Sequence, residues 1–518
     1  MDTQSLEIAR TYDQVPYTSR PFPQSQPQRI AALGRLFGLT PTDIANARVL
    51  ELGCASGGNL IPLAASLPEA KFTGVDLSSV QIGEGHARIA RLGLKNIRLA
   101  TMSIADITAG LGTFDYIVCH GVYSWVPAAV RDAILRVARE NLSEHGLAYI
   151  SYNVYPGWRL RTVLRDAMLF HAETSENPAE RIALGRDFLN KLGNLTNASS
   201  TYGQMLRHDA QTMSNLNDDY IAHEYFEINN EPCYVNAFMK RAGQFDLSYL
   251  TETDLHLTIA ENFGAETGAL LRQLSGNRLD RMEQYIDFLT GRTFRQSLLV
   301  RNDQAHRIER VLNPAALKDL HLSTAVAPEP EIEGERFIFK DAANRTLTTT
   351  SEVVRHAISR LARNYPQTAT IDEILAASGA ERGSDDANNI ERALFNMVLA
   401  GITGISTVPV ATSQTMPDRP VAGALARGDA ADGKDWTTNA RHETVPLSHV
   451  ARAVLPLLDG TKSHDQLKSE LRALVDDGKI WFTRDGATLE DPEHIDAAVA
   501  DHVTSTLSSF QRAALLIP

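Results

Sequence analysis

Between Arg48 and Asn153 the chain alternates short apolar runs with amphipathic stretches, and this order constrains the fold more than any other feature. RVLEL precedes NLIPLAASLP, KFTGVDL precedes SVQIGEGHARIARLG, IRLA and FDYIVCHG precede AAVRDAILRVARENL, and LAYISYN closes the series. The first member of each group has strand length and the second has apolar residues at helical spacing. Parallel strands need long crossovers, which are usually helices, whereas antiparallel strands can be joined by tight turns. The order therefore predicts βαβ units around a parallel sheet, an α/β fold. A helix from Arg29 to Leu39, with Ile30, Leu33, Leu36 and Phe37 on one face, is stopped by Gly38 and Pro41.

A chain of 518 residues exceeds one hydrophobic core, so roughly two to four domains are expected. Residues 1–28 are polar and proline-rich and form an arm, residues 29–165 the core, and residues 166–303 a helical insertion. Beyond Trp158, the residues Leu160, Val163, Leu164, Ala167, Met168 and His171 fall on one helical face, with loops expected near 194–200 and 214–219. FDLSYL (245–250) and RQSLLVR (295–301) are expected to return to the first sheet. Residues 304–408 contain a hairpin, RFIFKD with RTLTTT, then helices at 351–364 and 370–378, a winged-helix-like order. A Pro/Gly/Ala/Asp-rich linker at 409–439 leads to a second winged-helix-like unit at 440–518.

With 50 basic against 63 acidic residues the net charge is −13, which repels a polyphosphate backbone and disfavours nucleic acid as a partner. The helices NNIERALFNMVLAG and SHDQLKSELRALVDDG carry few basic residues, unlike recognition helices that grip phosphates. Cys54, Cys119 and Cys233 are three and widely spaced, which gives neither a disulfide framework nor a zinc site and suits a cytoplasmic protein. No stretch approaches the roughly 18 apolar residues of a spanning helix, and the first residues, MDTQSLEIARTYDQ, have no signal-peptide pattern. His223 and Glu224 in HEYF resemble the start of a zinc-protease motif, but position 227 is Glu227 rather than a second histidine, so no metal is expected.

The chemistry concentrates in VLELGCASGGN, Val49–Asn59. Gly53, Gly57 and Gly58 let the backbone pass close to a ligand and let the next helix present free N–H groups. A dinucleotide or S-adenosylmethionine (SAM) could use such a turn. Glu51 separates them, because it would repel a pyrophosphate but suits the cationic amino end of a methionine moiety. Alanine at position 55 points the same way, since its methyl is tolerable only beside a phosphate-free chain. Asp76 in GVDLS, 25 residues after Glu51, can accept hydrogen bonds from the two ribose hydroxyls of either ligand. Its competing reading is an N-cap for the helix that begins near Ser78.

ELGCASGG, GVDLS and FDYIVCHGVYSWVP, in this order, resemble three motifs of class I SAM-dependent methyltransferases, whose fold is a Rossmann-like sheet. The resemblance implies Gly53, Ala55 and Gly57 around the methionine portion, Asn59 in the same cofactor-binding set, Asp76 on the ribose and Leu77 against the adenine. It puts Ser103 in the slot usually held by an acid that binds the adenine amino group, with Ile104 N–H toward the ring; for Asp106, three residues on, a structural role is the favoured reading and a substitute acid the other. YDQVPYTS, NVYPGW, HEYF, FDLSYLTE and EQYIDFLTGRTFRQSLLVR extend the likeness over nearly the whole chain. It is then similar to methyltransferases with a methyltransferase regulatory domain, a group that includes bacterial protein-lysine methyltransferases of outer-membrane proteins. That resemblance implies a protein substrate, S-adenosylhomocysteine (SAH) as product and a homodimer.

A lysine acceptor, with an ordinary pKa near 10.4, must lose its proton, and an apolar aromatic channel lowers that value. The loops after the fourth and fifth strands offer His120, Tyr123 and Trp125 on one and Asn153, Tyr155 and Trp158 on the other. His120 is also a cofactor neighbour and a candidate general base, and Tyr12 and Tyr17 are candidates to close the arm over the cofactor. Trp125, before Pro127, has packing of the loop as its competing role. Two other functions stay open: a small-molecule N- or O-methyltransferase, and a non-catalytic SAM-sensing or DNA-binding regulator.

Overall fold

The computed structural model describes residues 19–227, 229–484 and 487–518. Tyr12 and Tyr17, with most of the expected arm, lie outside the described residues. Helix α1 (Pro27–Leu36) leads into β1 (Arg48–Leu52), α2 (Leu60–Ser66), β2 (Lys71–Asp76), α3 (Ser79–Leu92), β3 (Ile97–Thr101), β4 (Phe114–Cys119), α4 (Ala128–Asn141) and β5 (Leu142–Asn153). The chain then leaves the sheet through α5 (Gly157–His171), α6 (Pro178–Leu195) and α7 (Thr201–Ser214). It comes back through α8 (Val235–Gln244), β6 (Leu247–Glu252), α9 (Ala265–Ser275), α10 (Leu279–Thr290) and β7 (Phe294–Arg301).

Seven strands form one sheet in the order β3-β2-β1-β4-β5-β7-β6. β1 to β5 run parallel, and β7 is antiparallel to both β5 and β6. The two strands past the helical insertion therefore join the sheet. The chain reverses direction across the sheet between β1 and β4, and the crevice outside the carboxyl ends of such strands is where ligands bind in open α/β sheets.

Alternation along the strands divides the core. Val49, Phe72, Tyr116, Leu147 and Leu298 share one apolar cluster with α1 and with Leu322, Phe339, Ile358 and Leu394 of the next unit. Leu50, Leu52, Ile117, Ile150 and Tyr152 face the other side, against Ile134 of α4 and Phe238 of α8. The insertion has its own cluster around Leu164, Met168, Leu189, Leu206 and Tyr225. On α5 the inward face is Gly157, Trp158, Leu164 and Met168, while Leu160, Val163 and His171 are exposed. The expected apolar face was therefore displaced, and the true one includes the partly buried Arg161.

The next unit contains β8 (His321–Thr324), a small sheet of β9 (Glu331–Glu333), β10 (Arg336–Lys340) and β11 (Thr346–Thr349), helix α11 (Glu352–Arg363), β12 (Ala369–Thr370), α12 (Ile371–Ser378), α13 (Asp385–Leu399) and β13 (Thr403–Ser406). β8, too short to stand out in the sequence, is the central strand between β12 and β13. The last unit has α14 (Ala424–Ala431), β14 (Trp436–Thr438), β15 (Thr444–Pro446), α15 (His449–Val454), α16 (His464–Asp476), β16 (Thr483–Arg484), β17 (Ala487–Thr488) and α17 (Pro492–Arg512).

The stretch expected as a linker is ordered structure and belongs to the last unit. Its alanines carry α14, in agreement with the high helix propensity of alanine, and Ala422, Ala426 and Ala430 pack into the cluster of Leu455, Leu471, Val503 and Phe510. Asp429 on α14 is buried and accepts from Arg88 Nη2 of α3 at 2.8 and 2.9 Å, from Thr437 Oγ1 at 2.9 Å and from Lys434 Nζ at 3.0 Å. An uncompensated charge would be costly there, so the supposed spacer is a fixed docking surface.

Candidate active site

The carboxyl ends of β1 to β5, the first residue of β7 and the insertion surround a cavity of about 470 Å³, within the usual range for small-ligand sites. Glu51, Gly53, Ala55, Asn59, Asp76, Leu77, Ser103, Ile104, His120, Trp125 and Asn153 all line it. Gly57 and Gly58 shape the turn without lining the cavity. Gly53 and Gly57 take φ of +77° and +75°, a region that disfavours other residues. A Cβ on Gly58 would stand 2.1 Å from Ser19 O, because residues 19–22 lie directly over the turn and Ser19 Oγ accepts from Gly58 N–H at 2.8 Å.

Ala55 also lies in the left-handed region, at φ +48°, a conformation that costs a non-glycine residue about 1 kcal/mol. The turn holds it there through Ala55 N–H, which donates to Asp76 Oδ2 at 2.8 Å. Asp76 Oδ1 accepts from Ser78 N–H at 2.9 Å. The N-cap of α3 is Ser78, whose side chain accepts from Gln81 N–H; Asp76 instead ties the glycine turn to the end of β2 and faces the cavity.

Glu51 is the least compensated group in the site. It is 3 % exposed, Asn59 Nδ2 donates to its Oε1 at 2.9 Å, and Oε2 is buried with no hydrogen-bond partner among the described residues. Burial pushes the carboxyl up to about 8, against the lowering effect of Asn59, and Asp76 adds repulsion. A cationic donor entering the cavity would satisfy Oε2 and reverse that shift, so the amino group of a methionine moiety fits this position.

His120, after β4, stacks on Phe22 with ring centroids 3.7 Å apart, and its Nδ1 is 2.7 Å from Tyr149 Oη. Burial pushes its pKa down to about 3. His120 is therefore neutral at physiological pH and far too weak a base for an ammonium. The expectation of a general base at this position fails, although the residue remains a wall of the cavity. Ser103 reaches the cavity, but its Oγ accepts from Ala105 N–H as the cap of a short turn. Asp106 is exposed outside the cavity.

Three expected acceptor-side residues lie elsewhere. Tyr123 is 3 % exposed and meets Tyr152 and Phe238 edge-on, because the turn after β4 points it under α8. Tyr155 lies outside the cavity, with the Arg159 guanidinium 3.9 Å above its ring. Trp158 is fully buried and supports Trp125 edge-to-face at 6.0 Å. Of the tyrosines and tryptophans proposed for catalysis, only Trp125 lines the cavity.

A further part of the lining was not expected. Arg161 of α5 joins Tyr220, His223 and Glu224 of the insertion in the wall, with Thr293 and Phe294 at the start of β7. His223 and Glu224 occupy a π-helical turn, Ala222–Phe226, an irregularity often found at functional sites. His223 Nδ1 is 3.0 Å from Glu227 Oε1, so the position that spoils the zinc motif carries its hydrogen-bond partner. Burial pushes Glu224 up to about 7, opposed by the charges of Arg161 and His223. The sequence signal was the HEYF segment, whose metal-motif likeness drew attention from its acid. Among the described residues no group of three potential ligands could hold a metal ion, and no helix is long and apolar enough to cross a membrane.

A sheet of this strand order, with an acid at the end of each of its first two strands and a glycine turn between them, defines a methyltransferase. Residues 50–148 match the model of a methyltransferase domain, residues 217–301 that of a predicted methyltransferase regulatory domain, and residues 418–515 that of the PKMT C-terminal winged helix domain. The chain belongs to the family of methyltransferases with this regulatory domain, which it shares with the uncharacterized protein RP789 of Rickettsia prowazekii, 33% identical over 98% of this chain and 93% of that relative. RP028 of the same organism is 40% identical over 45% of this chain and 93% of its own. PKMT2 from Rickettsia typhi, solved also in complex with AdoHcy, is 28% identical and superimposes with a TM-score of 0.86 over 97% of this chain and 100% of that one.

Proposed function

We propose that the protein transfers methyl groups from SAM to lysine side chains of a protein substrate. The observation that carries this reading is the chemical asymmetry of one continuous cavity. The ends of β1, β2 and β3 supply Glu51, Asp76 and Ser103, and the turn after β4 and the insertion supply Trp125, Tyr220 and Glu224. Glu51 Oε2 suits the amino group of the methionine portion, Asp76 the ribose hydroxyls and Leu77 with Ile104 the adenine. When bound, SAM supplies a methyl group on a sulfonium, which is displaced in line and needs little acid–base assistance once the nucleophile is neutral.

The chain's own work is then to hold, desolvate and deprotonate the acceptor. Trp125 offers an aromatic face on which a cationic side chain can rest. Glu224, with a pKa near neutrality, can receive an ammonium as a carboxylate and accept its proton, a capacity that His120 lacks. A carboxylate beside an aromatic face is complementary to a cationic acceptor, whereas a neutral hydroxyl would leave that charge unpaired. The likeness to PKMT2 across nearly the full chain supports a protein acceptor.

The test is to incubate the purified enzyme with tritium-labelled SAM and lysate from a host lacking the gene, and to identify the labelled species. The expected result is label in polypeptide as methyl-lysine, with Glu224→Gln lowering kcat at least about tenfold while SAH affinity stays within about twofold. Label confined to small molecules, or to hydroxyl groups, would overturn the acceptor assignment.

A further inference from the structure

The C-terminal winged-helix domain reaches the cofactor end of the cavity through a buried polar chain that the methyl-transfer reading leaves unused. At the tip of the β14–β15 hairpin, His442 is 2 % exposed and takes φ of +61°, an uncommon conformation that histidine adopts more readily than most residues. The hairpin turn enforces it. Asn439 Oδ1 accepts from Arg441 N–H at 2.9 Å and from Glu443 N–H at 2.8 Å, and Asn439 Nδ2 donates to Ala513 O at 2.8 Å. So constrained, His442 places Nε2 2.7 Å from Asn59 Oδ1.

Asn59 is a junction. Its Oδ1 also accepts from Phe22 N–H at 2.9 Å, and its Nδ2 donates to Ser25 Oγ at 3.1 Å and to Glu51 Oε1 at 2.9 Å. With two N–H donors aimed at its oxygen, the amide is fixed with its nitrogen toward Glu51. An amide free to flip would turn its oxygen on the carboxylate and repel it. The chain therefore runs His442, Asn59, Glu51, and ends at the unpartnered Glu51 Oε2 beside the turn. Apolar contact would have docked the domain without burying these groups, which are costly unless fully satisfied. The same hairpin is anchored independently by Arg441 Nη1, which donates to Ser323 Oγ at 3.1 Å and to Pro366 O at 3.4 Å, and α14 by the Arg88–Asp429 pair.

We propose that the winged-helix domain is part of the cofactor site: His442 is a positioning residue that orients Asn59, and through it Glu51, toward the cofactor's amino group. The proposal rests on the assignment of SAM to this cavity. Cofactor binding and docking of the C-terminal domain are then linked, and linkage is reciprocal. A bound cofactor tightens the domain, and loss of the contact weakens the cofactor.

The experiment measures SAH binding by isothermal titration to the full chain and to His442→Ala, His442→Gln, Asn59→Ala, the His442→Ala/Asn59→Ala double variant, and Arg91→Ala. Arg91 pairs with Asp432 at 2.6 Å on the same interface and serves as a control that leaves Asn59 untouched. His442→Ala is expected to weaken SAH roughly tenfold, the scale of one well-placed buried hydrogen bond. His442→Gln, which retains a donor, restores affinity to within about threefold, and the double variant binds no more weakly than Asn59→Ala alone. A second readout separates positioning from simple docking. Without a fixed Asn59 the lowering contact on Glu51 is lost, so the pH at which SAH binding reaches half its maximal affinity shifts upward in His442→Ala and not in Arg91→Ala. Failure of the unaltered protein to bind SAH would overturn the cofactor assignment itself. Binding by the unaltered protein with His442→Ala unchanged, fully additive effects at 442 and 59, or an equal loss in Arg91→Ala would overturn the positioning role alone.

Discussion

Glu51 makes a quantitative prediction about proton release. Its ordinary pKa is 4.5, and burial beside Asp76 pushes it up to about 8 despite the bond from Asn59. At pH 7, one unit below, roughly nine molecules in ten hold it as the neutral acid. The amino group of SAH, a free amino acid's amine beside its own carboxylate, stays cationic across the neutral range. Pairing the two inside a cavity shielded from water converts Glu51 to its carboxylate, so binding releases about 0.9 proton at pH 7 and about one at pH 6. Near pH 8 the release falls to about half a proton, because Glu51 is by then half ionised before the ligand arrives. Affinity should rise roughly ninefold from pH 6 to pH 7, the ratio of the ionised fractions. Titration in buffers of different ionisation enthalpy reads the proton number directly. The stability of the ligand-free protein follows the same logic. A carboxyl whose folded pKa is raised favours the fold fully below 4.5 and progressively less as pH climbs through 8, so stabilisation by SAH should grow between pH 6 and pH 8. Glu51→Gln should bind SAH without proton release, more weakly, while raising the melting temperature of the ligand-free protein at pH 8. Tight binding with buffer-independent heat at pH 7 would refute the reasoning.

Asp76→Ala should weaken SAH about a hundredfold or more, since two charge-assisted bonds to ribose and the tie to Ala55 N–H are lost together; a loss under threefold by titration would refute the ribose assignment. Trp125→Ala should raise the KM for the acceptor while SAH affinity stays within about threefold, and Tyr123→Phe should leave kcat within about twofold, because packing rather than chemistry occupies that ring; steady-state kinetics with the same acceptor decides both. Arg295 is fully buried and donates to Asp287, Glu283 and Glu252 at 2.8, 2.9 and 3.1 Å, while the charges on Arg295 and Arg292 hold Glu252 below its ordinary pKa despite complete burial. Arg295→Met leaves these carboxyls facing one another and should cost about 3–5 kcal/mol, measured as a lowered urea midpoint; a loss below about 1 kcal/mol would show that the carboxyls protonate at little expense.

Local chemistry carried the cofactor end of the site into the sequence, and tertiary contact wrote the rest. Glu51, Asp76 and the glycine turn are legible because each sits at the end of a strand whose position follows from hydrophobic alternation, so a short motif fixes both place and direction. Ala55 is legible only in part. Its chemistry can be weighed from the letter, whereas its positive φ depends on the bond to Asp76, 21 residues on. The acceptor end fails for the opposite reason. Tyr123 and Tyr155 stand in the connections at the correct edge of the sheet and Trp158 in the first turn of α5, but which way each side chain points is decided by the packing of α8 and α5. Arg161 and Glu224 come from an insertion whose helical face was displaced by the exposed Leu160 and Val163 and whose π-helical turn leaves no periodic trace. The contact least accessible to sequence reading joins Asn59 and His442 across 383 positions. Asn59 closes the glycine-turn motif but nothing in that motif announces a distant partner, His442 stands in no recognisable pattern, and the alanine- and glycine-rich run before it imitates a spacer because α14 is short and its buried anchor, Asp429, pairs with Arg88 in a different domain. Where a chain buries a polar group far from any motif, the group's partner has to be sought in another domain, and here that search ends at Asn59 and, through it, at the carboxyl of Glu51.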